Sequence, residues 1–484
     1  MSLTRRWCGV VSALTLLMTF AALMVPHFTL AAQAEDGGKR FIQVEGGRYY
    51  TAALRNDGSV WVWGRNLWGE LGLQETVNLR RIEAPVRIGR LSDIRSLSVY
   101  GSGHNLAVKS DGTVWQWGGA DGYTDQQVHS LLPRQIDGVS SAAAVAAGED
   151  FGVALLKDGT VWSWGRYRNE ALVQDARKAA PVPGLSHVVQ VAADGRNAYA
   201  VKSDGSLWKW SEPSALTGTD AAVSLHPAKI TGFSKIKQVS ANNDQLYVLD
   251  SKGKVWTLNG GGKAKSYHGE LTIRSIRAGE GYVLLLTSHG DVYSFGSTVT
   301  GKQGKVAGLS GVTDIGAGSH HNLAITKDGR VWGWGGDKYY ETGGPPASED
   351  GMVYRPVPAR QAVDITINGR RFDSIFPAIV TDSSVLAPVK PLSQALGAEF
   401  SIARNEDGSG TYQIRSNGRT VTFMMNQSLF KTGTEQAVLP EPVTAVTGAV
   451  MVPYQLLEKG LGMKIIWNPQ AGALTIDGAV APFQ

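Results

Sequence analysis

Seven copies of one short pattern, a turn followed by an apolar strand with aromatic residues at alternate positions, recur between residues 57 and 335 of this chain. Each turn ends in glycine, mostly as Asp-Gly, and the turns are 54, 47, 46, 48, 37 and 39 residues apart. The aromatic residues are Trp61 and Trp63, Trp115 and Trp117, Trp162 and Trp164, Trp208 and Trp210, Trp256, Tyr293 and Phe295, and Trp332 and Trp334. A period of about 45 residues built of strands predicts a seven-bladed β-propeller.

Each unit is expected to supply four strands to one blade. Alternate residues of a strand share a face, so Trp61 and Trp63 point to one side and the valines beside them to the other. A strand that is apolar on both faces fits a blade packed between two neighbours. The Asp-Gly pairs predict type I′ hairpin turns, in which both central residues have positive φ.

A segment marked by proline follows the second tryptophan in several units, as at residues 84–88 and 132–136. Proline suits an outer edge strand, and we predict that this strand opens the next unit. A similar segment occupies residues 353–361, after the seventh unit, whereas none precedes Phe41. We therefore predict that residues 353–361 pair with the first blade and close the ring, which would also cover exposed strand edges.

The repeats resemble those of the regulator of chromosome condensation family over residues 40–361. The family unit contains A-G-x-x-H, then D-G-x-V-W/Y-x-W-G, then N-x-x-G-Q-L-G. The best matches are Gly46-Gly47-Arg48-Tyr49-Tyr50, Asn66-Leu67-Trp68-Gly69-Glu70-Leu71-Gly72 and Gly318-Ser319-His320-His321-Asn322-Leu323-Ala324. This resemblance implies a seven-bladed propeller.

The N-terminus has the pattern of a secretory signal peptide over residues 1–34. Arg5 and Arg6 precede an apolar run at residues 10–25, and Ala32-Gln33-Ala34 fits a cleavage site. The alternative is an uncleaved membrane anchor, although the run is short for a span of ~20 residues. Cleavage would give a secreted, extracellular or cell-wall-associated protein with no membrane segment, whose propeller occupies residues 35–361.

Composition excludes several kinds of site from the mature chain. The only cysteine, Cys8, lies in the leader, so disulfides, thiolate catalysis and cysteine metal sites are excluded after cleavage. Residues 35–361 carry 36 basic and 32 acidic residues, and residues 362–484 carry 9 and 10. This balance does not favour nucleic-acid binding.

A different duplication occupies residues 362–484. Val385-Leu386-Ala387-Pro388 leads to Leu396-Gly397, and Val450-Met451-Val452-Pro453 leads to Leu461-Gly462, with a constant offset of 65 residues. Proline before and glycine after frame two short helices at residues 389–396 and 454–461. With the strands around them, these helices predict a small α+β domain with internal duplication.

This second unit resembles the copper amine oxidase N-terminal-like domain, which is common on secreted proteins of Gram-positive bacteria. Lys390 and Gln455 stand where the family has arginine. Amine oxidase activity is not expected, because copper oxidases hold their metal with histidines and the last histidine of the chain is His321. We predict no cofactor.

No catalytic motif and no metal site is recognisable from the sequence. His320 and His321 are adjacent on a predicted strand and would face opposite sides. The loops after each second tryptophan should emerge at one rim of the ring, and exposed aromatic or basic residues there are typical binding residues. The candidate binding residues are Arg65, Trp68, Tyr123, Arg166, Tyr167, Tyr339 and Tyr340.

These observations favour a secreted or cell-surface, non-catalytic binding or scaffold protein that presents its propeller loops to a protein or a cell-wall polysaccharide. The alternative is an extracellular carbohydrate-active enzyme, a lyase or hydrolase with a site on the propeller face, because separated carboxylates can converge in a fold. Nucleotide exchange on a small GTPase, which the family resemblance also implies, does not fit an exported chain.

Overall fold

A computed structural model describes most of the chain in twelve segments. These are residues 38–73, 79–118, 132–149, 151–165, 178–211, 225–243, 245–258, 265–267, 271–296, 303–345, 347–405 and 409–477. The predicted signal peptide therefore lies outside the described residues. Within these segments the structure contains seven four-stranded antiparallel sheets, followed by an eight-stranded and a five-stranded sheet.

Seven sheets follow one another along the chain, four strands to a sheet, as the spacing of the turns predicted. Blade 1 comprises β1 (Phe41–Gly46), β2 (Tyr50–Arg55), β3 (Val60–Arg65) and β4 (Arg81–Arg87). Blade 2 comprises β5 (Ile94–Tyr100), β6 (His104–Lys109), β7 (Val114–Trp117) and β8 (Arg134–Gln135). Blade 3 comprises β9 (Ala142–Ala147), β10 (Phe151–Leu156), β11 (Val161–Gly165) and β12 (Ala180–Pro181).

Blades 4 to 7 have the same order, from the inner to the outer strand. They comprise β13 (Val188–Ala193), β14 (Asn197–Lys202), β15 (Leu207–Ser211), β16 (Ala228–Ile230); β17 (Ile236–Asn242), β18 (Gln245–Asp250), β19 (Val255–Leu258), β20 (Lys265–Tyr267); β21 (Ile273–Gly279), β22 (Tyr282–Thr287), β23 (Val292–Gly296), β24 (Gly304–Lys305); and β25 (Val312–Ala317), β26 (His321–Thr326), β27 (Val331–Gly336), β28 (Met352–Pro358). The predicted seven-bladed propeller is confirmed.

The second tryptophan of each clear repeat is buried between neighbouring blades. Trp63, Trp117, Trp164, Trp210 and Trp334 are at most 2% exposed. At about 25 cal/mol per Å² and 150–250 Å² per ring, each burial contributes roughly 4–6 kcal/mol before chain entropy is counted. The indole N–H of Trp164 donates to Gln116 of the preceding blade at 3.1 Å.

A glycine of the preceding blade's loop makes room for some of these rings. A Cβ built on Gly72 would lie 2.4 Å from Trp117 Cδ1, and one built on Gly343 would lie 2.8 Å from Trp63 Nε1. Both glycines also have positive φ. Glycine is therefore needed at the last position of the N-x-x-G-Q-L-G segment, because the tryptophan of the next blade occupies the space that a Cβ would fill.

The predicted type I′ geometry of the Asp-Gly turns is wrong. Gly58 has a φ of 76°, whereas Asp57 is not among the described residues with positive φ. Instead, the Asp57 carboxylate accepts the backbone N–H of Ser59 at 3.0 Å, and the Ser59 hydroxyl accepts the indole N–H of Trp61 at 2.9 Å. Aspartate side chains favour such local bonds to the backbone two residues on.

The prediction that residues 353–361 pair with the first blade is also wrong. Strand β28 pairs with β27 of its own blade, with Val353 opposite Gly335. Likewise β4, which contains Pro85, pairs with β3 of blade 1 and does not open the next unit. The chain folds each proline-marked segment back onto the strand it has just left. Proline identifies an edge strand but does not say to which blade the edge belongs.

The ring is consequently closed by side-to-side packing of blade 7 against blade 1, without exchange of a strand. The backbone N–H of Val44 in β1 donates to the Asp314 carboxylate of β25 at 3.0 Å. Backbone bonds from Phe41 to Gly329 at 3.3 Å and from Ser319 to Gly47 at 3.1 Å join the same two blades.

The second unit is β-rich. It contains β29 (Ala362–Ile367), β30 (Arg370–Phe372), β31 (Ala378–Val380), β32 (Val385–Pro388), β33 (Glu399–Arg404), β34 (Gly410–Ser416), β35 (Arg419–Met424), β36 (Leu429–Thr432), β37 (Glu435–Val438), β38 (Thr444–Val446), β39 (Ala449–Pro453), β40 (Lys464–Asn468) and β41 (Ala473–Asp477). The first predicted helix is present as α1 (Val389–Ala395), and the second is a single π-helical turn, Leu456–Gly460. Strands β33 to β37 form one sheet, and the other strands form the eight-stranded sheet.

The second unit contacts blade 1 through a buried cluster of charges around Asp364. Its carboxylate lies 3.2 Å from Arg55, 2.5 Å from Lys39 and 2.9 Å from Arg371. Arg55 also stacks on Trp61, with its guanidinium carbon 4.1 Å from the ring centroid. Burial raises the pKa of Asp364, but the hydrogen bond from Lys39 and the three positive charges outweigh it, so the net pKa is lowered.

The equivalent tryptophans of other blades show why Arg55 matters. Trp115 and Trp208 are half-buried and are covered by Lys109 and Lys202, at 5.2 and 4.7 Å from the ring centroids. Blade 1 has arginine at this position, and Asp364 of the second unit contacts it. Arg55 thus converts a surface cation–π contact into an interface between the two units.

We predict that Asp364→Asn weakens this interface by about 3–5 kcal/mol, because Arg55 stays buried after its counter-ion is removed. Urea denaturation of the full chain would measure the loss, and limited proteolysis should cut faster near residues 359–361. Asp373→Asn is the matched control, since Asp373 also contacts Arg371 but is 55% exposed. Equal stability of both variants would contradict the role given to Asp364.

Candidate functional site

The loops that follow β3 in blade 1 and β27 in blade 7 have the same local architecture. In blade 1 the carboxylate of Glu70 accepts the backbone N–H of Trp68 at 2.8 Å. In blade 7 the carboxylate of Glu341 accepts the backbone N–H of Tyr339 at 2.7 Å. Both carboxylates are buried, with side chains at most 1% exposed. Each loop is therefore folded around its own glutamate.

A buried ion pair stabilises the blade 1 loop. Arg65 Nε lies 2.6 Å from Glu70 Oε1, and Arg65 is only 6% exposed. The sequence predicted Arg65 as an exposed residue able to meet acidic groups, whereas its guanidinium is bound to Glu70 beneath the surface. Blade 7 has Gly336 at the position of Arg65, so the arginine that pairs with Glu70 has no counterpart at that position of the Glu341 loop.

Two carboxyl groups in the blade 7 loop are perturbed by their surroundings. Burial, with a smaller contribution from the charge of Asp337, raises the pKa of Glu341 to about 8. Burial raises the pKa of Asp337 to about 6, against the hydrogen bonds it accepts from Thr342. At pH 7 Glu341 is therefore largely protonated, whereas Asp337 is largely ionised, so one buried negative charge lies beneath the surface of this loop.

Tyr49, which lies between the two loops, forms the centre of an aromatic and cationic cluster. Its ring centroid is 5.5 Å from that of His320 and 5.4 Å from that of Tyr339. The guanidinium carbons of Arg65 and Arg48 lie 4.8 and 5.4 Å from the same centroid. We call Arg48, Tyr49, His320, Lys338, Tyr339 and Tyr340 the junction patch.

The members of the junction patch are accessible to different degrees. Arg48 and Lys338 are exposed, and the aromatic members are half-buried. Arg81 of β4 stacks on Tyr340, with its guanidinium carbon 5.0 Å from the ring centroid. The patch therefore combines apolar ring faces with positive charge at the boundary between blade 7 and blade 1.

Tyr340 has an unfavourable backbone conformation. Its φ is 66°, in the left-handed region, and the equivalent residue of blade 1 is Gly69, with a φ of 70°. Residues other than glycine are disfavoured in this region. The chain thus has a bulky aromatic at a loop position where the sister loop has glycine.

The structure places the sequence-predicted candidates as follows. Arg65, Tyr339 and Tyr340 lie at the junction of blades 1 and 7, whereas Trp68 lies in the blade 1 loop, whose Glu70 and Gly72 contact blade 2. Their role in binding stays a prediction. The remaining candidates, Tyr123, Arg166 and Tyr167, lie outside the described residues.

Tyr49 and Arg48 were not among the candidates. They follow Gly46-Gly47 at the end of β1, in the segment that matches A-G-x-x-H. Closure of the ring brings residues 49 and 339 together. Because this contact joins the first and the last blade, no local sequence pattern identifies it.

His321 has a structural role. It is fully buried, its Nε2 lies 3.0 Å from the Thr51 hydroxyl of blade 1, and burial lowers its pKa to about 3. His320 is half-buried in the junction patch. In the described part of the chain, no three histidine, cysteine or acidic side chains are grouped as metal ligands. No helix among the same residues is long and apolar enough to span a bilayer.

A second polar cluster lies in the channel along the ring axis, a cavity of about 130 Å³ lined by the inner strands. Arg277 Nη2 is 3.7 Å from Glu45 and 3.8 Å from Asp314, so the two carboxylates are separated by no more than the sum of these distances. Glu45 also accepts a hydrogen bond from Gln43, and Asp314 accepts one from Val44. These acids join blades 1, 6 and 7 at the closure.

Family models match both parts of the chain. The model of the regulator of chromosome condensation (RCC1) repeat matches residues 41–67, 142–170 and 312–341, and a second model of this repeat matches residues 57–108. The propeller is built of RCC1 repeats. Residues 366–476 match the copper amine oxidase N-terminal domain. Neither the RCC1 repeat nor this N-terminal domain is a catalytic domain.

Similar proteins share the RCC1 repeats over short stretches. Protein pim1 of Schizosaccharomyces pombe is 40% identical over 91 residues, 16% of this chain and 17% of that protein. Ultraviolet-B receptor UVR8 of Arabidopsis thaliana is 30% identical over 92 residues, 16% of this chain and 21% of that protein. The matches thus span less than a quarter of these relatives.

Among solved structures, Prp20p from Saccharomyces cerevisiae aligns at 21% identity with a TM-score of 0.37, over 66% of this chain and 76% of that chain. Human WBSCR16 aligns at 17% identity with a TM-score of 0.46, over 68% of this chain and 96% of that chain.

The raised pKa of Glu341 generates a test of the junction loops. A group with a raised pKa in the folded state stabilises the fold at low pH, and this contribution is lost as the pH rises through about 8. We predict that the melting temperature of the native chain falls between pH 7 and pH 9 relative to that of Glu341→Gln. At pH 7 this variant should be nearly as stable as the native chain.

Glu70→Gln is the matched control, because it changes the equivalent residue of blade 1. This change removes the carboxylate that Arg65 contacts, so it should cost about 3–5 kcal/mol at pH 7. Thermal unfolding of the three proteins across pH 6 to 9 measures both effects. A Glu341→Gln variant as unstable as Glu70→Gln at pH 7 would contradict a protonated Glu341.

Proposed function

We propose that this chain is an exported, non-catalytic binding or scaffold protein whose RCC1 repeats present the junction patch to a protein or a cell-wall polysaccharide. Its export and its location outside the cell or at the wall rest on the signal-peptide pattern of residues 1–34. A propeller with loops at its rim suits such a role, because a rigid scaffold holds exposed loop residues in fixed positions.

The observation that carries the proposal is the backbone of Tyr340. Strained residues persist where surrounding structure holds them, and they cluster at functional sites. Here glycine would relieve the strain, as it does at position 69 of the sister loop. The tyrosine at this position lies next to Tyr339 and under Arg81. We therefore infer that its side chain has a function that glycine could not provide.

The chemistry of the junction patch fits the proposed partners. Half-buried aromatic rings on rigid loops provide contact area for sugar rings or for apolar side chains of a protein. Arg48 and Lys338 add donors and positive charge for acidic groups. Because Glu341 is largely protonated at pH 7, Asp337 is the buried carboxyl of the blade 7 loop that opposes this charge, and Glu341 adds little to it.

The copper amine oxidase N-terminal domain would support the propeller. It contacts Trp61 and Arg87 near the start of β3 and the end of β4, and its Thr447 hydroxyl accepts the backbone N–H of Glu83 nearer the start of β4. The contacts of Asp364 make this domain a fixed support in the proposal.

The alternative, an extracellular lyase or hydrolase, rests on the pair of carboxylates Glu45 and Asp314 in the channel. A glycosidase needs two carboxyl groups roughly 5–10 Å apart that face one sugar. Here both acids face Arg277, and each also accepts a hydrogen bond from blade 1. This arrangement is better suited to closing the ring, so we favour binding.

The decisive experiment is retention of the mature protein on purified bacterial cell wall. We predict that Tyr340→Gly lowers retention at least fivefold while changing stability by no more than about 1 kcal/mol, since glycine relieves the positive φ. Tyr339→Ala should weaken retention similarly. Tyr354→Ala removes an exposed tyrosine from the outer strand β28 and should have no effect.

Equal retention of the native chain and the Tyr340→Gly variant would show that the junction patch does not bind the cell wall. If the native chain is not retained, the same variants should be compared by cross-linking on intact cells, which tests a protein partner. Loss of cross-links to a defined partner in Tyr340→Gly, and not in Tyr354→Ala, would support that form of the proposal.

A further inference from the structure

Neighbouring inner strands are joined by a recurring bond from a glutamine side chain to the backbone of the next blade. The amide of Gln43 donates to the carbonyl of Leu97 at 2.8 Å and accepts from its N–H at 3.0 Å. Gln190 makes the same two bonds to Val239, at 3.0 and 2.9 Å, and Gln238 makes them to Ile276, at 3.1 and 3.0 Å.

The junction that closes the ring has aspartate at the same position. Gln43, Gln190, Gln238 and Asp314 each lie in the first pair after the register shift of their inner strand. Asp314 accepts the N–H of Val44 at 3.0 Å, and the Val44 carbonyl oxygen lies against Gly316 of the same strand. An ionised carboxylate accepts hydrogen bonds but has no hydrogen to donate.

We propose that the contact between β25 and β1, the closing junction, is a pH-sensitive switch: protonated Asp314 can donate a hydrogen bond as well as accept the one from Val44, as the glutamine amides do at their junctions, and ionised Asp314 can only accept. Mildly acidic conditions would therefore tighten the ring, and neutral conditions would let blades 7 and 1 separate more often. The other junctions with glutamine would not respond, because an amide does not titrate in this range.

The charged groups that face Asp314 are Glu45 on β1 and Arg277 on β21. Arg274 on β21 donates to the carbonyl of Thr313, and His321 on β26 bonds Thr51. Burial raises the pKa of Asp314 to about 6; the charge of Arg277 lowers it and that of Glu45 raises it. The titration thus falls between the acidic and neutral conditions compared below.

Linkage between the protonation of Asp314 and closure of the ring sets the direction of this pH dependence. A carboxyl whose pKa is higher in the closed state than in the open state stabilises closure at low pH, and this is lost as the pH rises through about 6. With an ordinary pKa of about 3.9 in the open state, opening should become about tenfold more frequent between pH 5 and pH 7.

Amide hydrogen exchange of the full chain tests the proposal. Peptides covering residues 41–46 report on the closing junction, and peptides covering residues 94–100 report on the glutamine junction of Gln43. After correction for intrinsic exchange, protection of the first segment should fall about tenfold from pH 5 to pH 7, and protection of the second should not change. In Asp314→Asn the first segment should lose this pH dependence.

Two further variants separate the proposal from other causes. Glu45→Gln should shift the pH dependence to lower pH without abolishing it, because the charge of Glu45 raises the pKa of Asp314. If no pH dependence remains in this variant down to pH 4, Glu45 is the titrating group and the proposal is overturned. Gln238→Glu should create a pH-dependent loss of protection at residues 273–279, provided that its thermal unfolding stays cooperative. Unchanged pH dependence in Asp314→Asn, or none in the native chain, would also overturn the proposal.

Discussion

The packing of one blade against the next is the constraint on which the structure depends, because no strand is exchanged to hold the ring closed. Buried indoles fill the space between blades, and glycines in the preceding loops make room for two of them. Side-chain bonds to the neighbouring backbone connect the inner strands. The closing junction uses the same kinds of contact between residues about 270 positions apart, such as Val44 with Asp314.

Closure also brings together the junction patch. Tyr49 belongs to the first blade, and Tyr339 and Tyr340 belong to the last. The two loops are built around buried glutamates, and they differ in that blade 7 has Gly336 where blade 1 has Arg65 and Tyr340 where blade 1 has Gly69. Of these two described loops, that of blade 7 carries the Tyr340 conformation on which the proposed function rests.

Much of the fold could be predicted from the sequence, because the Asp-Gly turns and alternate tryptophans are local patterns with a regular spacing. The pairing of β28 could not be predicted, because proline marks an edge strand but does not show to which blade that strand belongs. The turn type was wrong because the Asp57 side chain bonds Ser59 and only Gly58 has positive φ. The burial of Arg65 and the clusters around Tyr49 and Arg277 depend on distant contacts that no local pattern records.

A crystal structure of residues 35–484 would test the central claim most directly. It should show seven four-stranded blades, with residues 352–358 paired to β27 and the N–H of Val44 bonded to Asp314 across the closing junction. A different number of blades would contradict the account. So would a strand from residues 352–358 paired with β1, since the ring would then be closed by strand exchange.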